Sequence, residues 1–130
     1  DFKKRTRSDL KFLIAGRFSW QTGEVKNAYD NALHKKDIHF LGYVKDTLLP
    51  KLMASAFALT YASTFEGFGV PLLEAMHCEI PIITSEKSSM SEVVGEAAIL
   101  INPFEINEIS FAMQQMAEDE NLRKKLVEKG

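Results

Sequence analysis

Short apolar runs alternate with helix-like stretches along the whole chain, and this alternation limits its possible folds more than any other feature. Runs that are apolar at nearly every position predict strands at residues 11–15, 38–41, 57–61, 81–84 and 98–101. Helical spacing predicts helices at 24–34, 46–55, 69–78, 90–94, 105–117 and 121–129, with Asp46 as the N-cap of the second. Strands without a polar face, alternating with helices, form a parallel sheet covered on both sides. We therefore predict one doubly wound, Rossmann-like α/β domain over residues 1–130.

The charge of the chain argues against one large class of partners. The 130 residues carry a formal net charge of -2, and 45% of them are hydrophobic. Binding to a phosphate backbone needs a basic surface, so we expect no nucleic-acid partner. The one basic cluster, at residues 3–7, is a short charge run of the kind that lies in solvent at the end of a helix.

The sequence does not indicate a disulfide, a metal centre or a membrane span. Cys78 is the single cysteine, which fits a reducing compartment. The three histidines show no metal-ligand spacing, and no pair of aspartates is separated by one residue. No apolar run approaches the ~18 residues of a membrane span, and no signal-peptide pattern is present. We expect no metal and no cofactor.

The loop at residues 63–74 follows the third predicted strand and opens a helix, which is where ligands of such folds bind. Gly67 and Gly69 allow a close approach of the backbone and unusual dihedral angles. Pro71 suits the first helical turn, where its missing N–H group is no loss. The unpaired N–H groups of that turn and the helix dipole favour an anion such as a diphosphate.

Two glutamates flank this predicted anion site. Glu66 precedes it in the loop, and Glu74 lies in the second helical turn among largely apolar neighbours. A covered carboxylate needs hydrogen-bond donors, and a ribose diol offers two. From the residues alone the alternative is equally open, in which Glu74 is an exposed helix carboxylate and Glu66 a capping one.

At this loop the chain resembles the retaining glycosyltransferases of family four, which adopt the two-domain GT-B fold. The most specific match is EGFGVPLLEAM at residues 66–76, which contains the family's pair of glutamates separated by seven residues. Residues 40–44, 81–85 and 92–98 are similar to the family as well. The resemblance covers the whole chain, and it implies the C-terminal, nucleotide-sugar-binding half of such an enzyme.

The resemblance implies roles for individual residues. Glu66 would contact hydroxyls of the donor sugar and is the expected catalytic residue, whereas Glu74 would hold the ribose hydroxyls. Backbone N–H groups in the loop would face the sugar and diphosphate, where preorganised dipoles stabilise the charge that grows on the departing group. The expected donor-binding residues are Tyr43, Val44, Glu66, Gly67, Phe68, Gly69, Val70 and Glu74. Tyr43 and Val44 would border the nucleotide base.

The chain departs from the family pattern at two places. The family usually has glycine at the position of Glu79, and a left-handed backbone there would cost roughly 1 kcal/mol. The family also carries an Arg and a Lys after the first strand of this domain, where they clamp the diphosphate. By the family register, residues 11–15 form the second strand, so both the first strand and the clamp are absent from this chain.

Absence of the first strand would leave a gap, because strands of this fold follow the order 3-2-1-4-5-6. The strands at 11–15 and 57–61 would face each other with unpaired edges. We expect one of three results: direct pairing of the two edges, a gap filled by another chain, or a poorly stable domain.

The expected function is transfer of a sugar from a nucleotide-diphosphate donor to a glycan or lipid-linked acceptor, with retention of the anomeric configuration. Such a hexosyltransferase would serve polysaccharide biosynthesis. An N-terminal domain outside this chain would bind the acceptor, so the chain alone is expected to be inactive. Two alternatives are a non-catalytic nucleotide-sugar-binding module and a GT-B-type sugar epimerase. We expect a cytoplasmic location, which is compatible with peripheral association at the inner face of the membrane.

Overall fold

The computed structural model describes residues 2–16 and 23–130, in which five strands alternate with seven helices. The strands are β1 (Phe12–Ala15), β2 (Ile38–Gly42), β3 (Leu59–Tyr61), β4 (Ile82–Ser85) and β5 (Ala98–Ile101). The helices are α1 (Phe2–Thr6), α2 (Glu24–Asp30), α3 (Leu49–Ala54), α4 (Val70–His77), α5 (Met90–Val94), α6 (Ile106–Glu118) and α7 (Glu120–Lys129). A 3-10 turn at Lys35–Asp37 leads into β2. The predicted Rossmann-like α/β class is confirmed.

The strands form two parallel sheets that are separated by a gap. One sheet pairs β1 with β2, and in the other β4 lies between β3 and β5. The sequence register predicted this arrangement, β2-β1 followed by β3-β4-β5, with the first strand left out between β1 and β3. A cavity of about 1000 Å³ is lined by residues of both β1 and β3. The expected gap is therefore present, and the two edges do not pair directly.

The hydrophobic core surrounds the three-stranded sheet. All four residues of β4 are buried, since helices cover both of its faces. Buried side chains of α4 and α5 pack with Ile82, and those of α6 and α7 pack with Ile83. β1 is different, because Phe12 and Leu13 are 41% and 45% exposed. The two-stranded sheet thus contributes little to the core.

The N-terminal basic cluster is only partly solvated, contrary to expectation. Lys3 donates to the carboxylate of buried Asp37 at 2.6 Å, and Arg5 donates to Ser110 Oγ at 2.7 Å. Lys11 forms a second ion pair with the same carboxylate. These hydrogen bonds, Lys11 first and then Lys3, hold the pKa of Asp37 well below its ordinary value. Two members of the charge run thus attach α1 to the start of β2 and to α6.

Two predicted helix boundaries are wrong for local reasons. Helix α3 begins at Leu49, with Pro50 in its first turn, and Asp46 is not its N-cap. Asp46 instead accepts a hydrogen bond from the Tyr43 hydroxyl at 3.1 Å. Helix α2 ends at Asp30, four residues before the predicted end. The side-chain amide of Asn31 donates to the Asn27 carbonyl, which is the kind of local bond that competes with continuation of a helix.

Candidate functional site

The loop after β3 leads into α4 through a glycine whose backbone is left-handed. Gly69 is the N-cap of α4 with φ 81°, and a Cβ atom there would lie 3.0 Å from Leu72 Cδ1. Pro71 stands in the first turn of α4, as predicted. Gly67 differs, because its φ lies outside the left-handed range and a Cβ atom there would meet open space. Only Gly69 is therefore required by the backbone, which corrects the expectation of an unusual dihedral angle at Gly67.

Three successive backbone N–H groups are unpaired where α4 begins. In the part of the chain that the structure describes, no acceptor contacts the N–H groups of Phe68, Gly69 or Val70. The next amide, that of Leu72, donates to the Gly69 carbonyl at 2.9 Å. Phe68 and Val70 are more than half exposed, at 57% and 55%. The arrangement can accept an anion at the positive end of the helix.

Glu74 lies one turn further along α4 and lines the same cavity as Tyr43 and Val44. Glu74 is exposed, and among residues 2–16 and 23–130 its carboxylate has no hydrogen-bond partner. This exposure agrees with the alternative in which Glu74 is simply an exposed carboxylate on a helix. Its position in the cavity is the one that a contact with ribose requires. The structure thus brings three of the predicted donor-binding residues, Tyr43, Val44 and Glu74, to one surface.

The carboxylate of Glu66 is held by two hydroxyl groups. Its Oε1 accepts hydrogen bonds from the Tyr61 hydroxyl at 2.7 Å and from Ser63 Oγ at 3.0 Å. Helix α4 has no side-chain cap, so the alternative in which Glu66 caps this helix is wrong. Burial, followed by the hydrogen bond and the charge of Glu66, raises the pKa of Tyr61 to about 12. The phenol thus remains a hydrogen-bond donor at neutral pH.

Two serines from the loop before α5 hold the backbone of Glu66. The hydroxyls of Ser88 and Ser89 donate to the Glu66 carbonyl at 2.6 and 3.1 Å. The Glu66 N–H group donates to Ser88 Oγ at 3.4 Å. These contacts join the loop after β3 to the loop after β4, the two loops at the carboxyl ends of neighbouring strands.

Sequence reasoning missed four residues around Glu66: Tyr61, Ser63, Ser88 and Ser89. A signal existed for the first two, because they are polar residues within five positions of Glu66 at the end of a strand. No local pattern marks the two serines, which lie 22 and 23 residues away along the chain.

The described part of the chain offers neither a candidate metal cluster nor a helix that could cross a membrane. Residues 2–16 and 23–130 contain no group of three or more His, Cys, Asp or Glu side chains that could hold a metal ion. The helices of these same residues are too short or too polar to cross a bilayer. The expectation that the reaction needs no metal and no cofactor stays a prediction.

Similar proteins share both the sequence and the fold. The family model of the glycosyl transferases group 1 matches residues 1–130. The chain is 34% identical over 125 residues to the O-antigen chain mannosyltransferase B of Escherichia coli. That match includes 96% of this chain and 33% of the relative, so the chain spans about a third of the relative's length.

Two solved structures extend the comparison. Anabaena Alr3699/HepE in complex with UDP-glucose has a TM-score of 0.77 and 25% identity, covering 92% of this chain and 34% of that chain. The C-terminal domain of the glycosyl transferase group 1 protein LpcC from Francisella tularensis has a TM-score of 0.74 and 20% identity. The LpcC match covers 98% of this chain and 86% of that domain. The chain therefore belongs to the glycosyl transferases group 1 family and has the fold of the C-terminal half of a GT-B glycosyltransferase.

Proposed function

We propose that this chain binds a nucleotide-diphosphate sugar and forms the donor half of a retaining hexosyltransferase. The observation that carries the proposal is the row of unpaired N–H groups at Phe68, Gly69 and Val70, with a carboxylate on either side. The UDP-glucose complex of Alr3699/HepE supports a nucleotide-sugar ligand. The O-antigen chain mannosyltransferase supports a hexose as the transferred group and polysaccharide synthesis as the setting.

Each part of the site has a role in this proposal. The three N–H groups bind the diphosphate and stabilise the negative charge that develops on it as the sugar departs. Glu74 accepts hydrogen bonds from the ribose hydroxyls, and Tyr43 and Val44 border the base from the same cavity. Glu66 accepts hydrogen bonds from the sugar, and the open space beside Gly67 admits the ligand to the loop.

The acceptor, a glycan or lipid-linked sugar, is bound in this proposal by another part of a longer polypeptide. This chain spans about a third of its mannosyltransferase relative, which leaves two thirds of that protein for such a role. We propose that the 130 residues bind donor without transferring sugar and need no metal or cofactor. A cytoplasmic location fits the use of nucleotide sugars.

Isothermal titration tests the proposal with four probes: UDP, GDP, UDP-glucose and GDP-mannose. We expect at least one nucleotide sugar to bind more tightly than its nucleoside diphosphate, with the same affinity in the presence of EDTA. Glu74→Gln keeps the shape of the side chain but weakens its charge-assisted bonds, so affinity for both members of that pair should fall several-fold. Absence of binding to all four probes contradicts the proposal, and loss of binding in EDTA contradicts its metal-free form.

A further inference from the structure

Glu66 is held at both its side chain and its backbone, by four hydroxyl-bearing side chains from the end of β3 and from two loops. Tyr61 and Ser63 donate to its carboxylate, and Ser88 and Ser89 donate to its carbonyl. Such a set of contacts fixes the orientation of one carboxylate at the carboxyl end of the sheet. The function proposed above assigns no role to these four residues.

We propose that Tyr61 and Ser63 are positioning residues that fix the carboxylate of Glu66 for contact with the donor sugar. This inference rests on the proposed function of the site. Both hydroxyls donate to Oε1, and among the described residues Oε2 receives no hydrogen bond. Oε2 is thus the oxygen left to accept a hydrogen bond from a hydroxyl of the sugar, and its orientation is set before the ligand arrives.

Tyr61 has the more rigid support of the two. It is the last residue of β3, and its carbonyl accepts a hydrogen bond from the buried Thr84 hydroxyl of β4 at 3.0 Å. Ser63 lies in the loop, and its single hydroxyl hydrogen is shared between Glu66 Oε1 and the Phe65 carbonyl at 3.2 Å. Removal of the Tyr61 hydroxyl should therefore have the larger effect on the carboxylate.

Ser88 keeps the loop in place at the cost of an unfavourable backbone. Its φ is 58°, in the left-handed region that non-glycine residues rarely adopt. In this conformation its hydroxyl both donates to the Glu66 carbonyl and accepts from the Glu66 N–H group. Strained residues held by several contacts are typical of functional loops. The backbone of Glu66 is thereby fixed as well as its carboxylate.

Tyr61→Phe tests the inference in the 130-residue chain. The probes are a nucleoside diphosphate and its nucleotide sugar, either UDP and UDP-glucose or GDP and GDP-mannose. The pair that the wild type binds is used. We expect affinity for the nucleotide sugar to fall about 5- to 10-fold, while affinity for the nucleoside diphosphate changes less than about twofold. Ser63→Ala should act in the same direction but less. Tyr29→Phe is the matched control, because it removes the same hydroxyl from a ring of α2 that packs against Phe40, and it should change neither affinity.

A double-mutant cycle separates positioning from general damage. If Tyr61 acts through Glu66, the variant Tyr61→Phe with Glu66→Ala should bind the nucleotide sugar no more weakly than Glu66→Ala alone. Equal loss of both affinities in Tyr61→Phe, with a lowered melting temperature, would show a structural role and overturn the inference. Unchanged affinities in Tyr61→Phe and in Ser63→Ala would overturn it too, while leaving the proposed function intact. A wild type that binds nucleotide sugar no better than nucleoside diphosphate contradicts the proposed function itself.

Discussion

At the scale of single residues, Glu79 occupies a backbone conformation that normally selects glycine. Its φ is 55°, so the left-handed conformation considered for this position is confirmed. The Glu79 N–H group donates to the Met76 carbonyl at 2.9 Å, and the Ile80 N–H group donates to the Ala75 carbonyl at 3.1 Å. These two bonds form a Schellman motif, in which the position of Glu79 is usually glycine. Helix α4 therefore ends in a left-handed residue that is not the glycine which adopts this conformation most easily.

Glu79→Gly should stabilise the domain by about 0.5–1 kcal/mol. Relief of the left-handed strain gains roughly 1–2 kcal/mol, and the greater freedom of glycine in the unfolded chain returns part of that gain. The free energy of unfolding in urea measures the difference. Glu79→Ala is the control, because alanine keeps the strain and removes only the charge. A gain from alanine equal to that from glycine would show that charge, and not backbone conformation, is the cause.

The pKa of the Tyr61 hydroxyl lies above the ordinary value for tyrosine. Burial and the neighbouring Glu66 carboxylate raise its pKa to about 12 from 10.0. A raised pKa in the folded state means that this hydroxyl stabilises the fold fully below about pH 10. Its contribution is then lost as the pH rises from about 10 to about 12.

The difference between the phenolate absorbance titrations of wild type and Tyr61→Phe isolates this group. We expect its midpoint near pH 12, and Glu66→Gln should lower the midpoint only in part because burial is the largest cause. A midpoint near pH 10 in the wild type would show that Tyr61 is neither buried nor hydrogen-bonded to Glu66 in solution.

At the scale of elements, Arg123 joins the two C-terminal helices to the strand region. From α7 its guanidinium donates to the Met116 and Ala117 carbonyls of α6 at 2.5 and 3.5 Å. It also lies 4.7 Å from the centre of the Phe57 ring, just before β3. One side chain thus satisfies free carbonyls at the end of α6 and contacts an aromatic face.

Arg123→Lys should destabilise the domain by about 1–2 kcal/mol although it keeps the charge. Both carbonyls accept from Nη1, which leaves the rest of the planar guanidinium to lie against the Phe57 ring, and a lysine ammonium has no such plane to keep the ring contact while it donates to the carbonyls. Lys124→Ala is the comparison from the same helix, since it removes only the exposed pair with Glu120 and should change the free energy of unfolding much less than Arg123→Lys does. Thermal or urea unfolding measures both. Equal effects of the two variants would contradict the role given to Arg123.

The elements also show what the sequence can predict and why the remainder was missed. Each strand was predicted within two residues of its observed limits, because runs that are apolar on both faces have few alternatives in a parallel sheet. Helix ends were harder to predict, since single contacts such as Asn31 with Asn27 determine them. The loop of the site could be predicted because its motif, at residues 66–76, is continuous in the sequence. The contact of Ser88 with Glu66 could not be predicted, because it joins segments 22 residues apart.

At the scale of the whole molecule, the gap between β1 and β3 is the dominant feature. Within residues 2–16 and 23–130, β1 pairs along one edge with β2, and β3 pairs along one edge with β4. The cavity between them extends from Phe2 of α1 to Glu74 of α4, so it reaches the candidate site. Backbone groups along an open edge are templates for pairing with another strand. Two such edges face one apolar cavity here, and a single added parallel strand could pair with both.

The open edges should make this chain marginally stable and prone to self-association. In hydrogen–deuterium exchange at low concentration, amides of β1 and β3 should exchange much faster than those of β4, which is paired on both sides and serves as the internal control. Light scattering after size exclusion should show a mass that increases with concentration, because copies can pair along the free edges. Protection of β1 and β3 equal to that of β4 in a concentration-independent monomer would show that the two edges close directly in solution. If the amides of β1 and β3 become protected only at concentrations where the measured mass increases, a second copy supplies the pairing. Burial of the edges then depends on association.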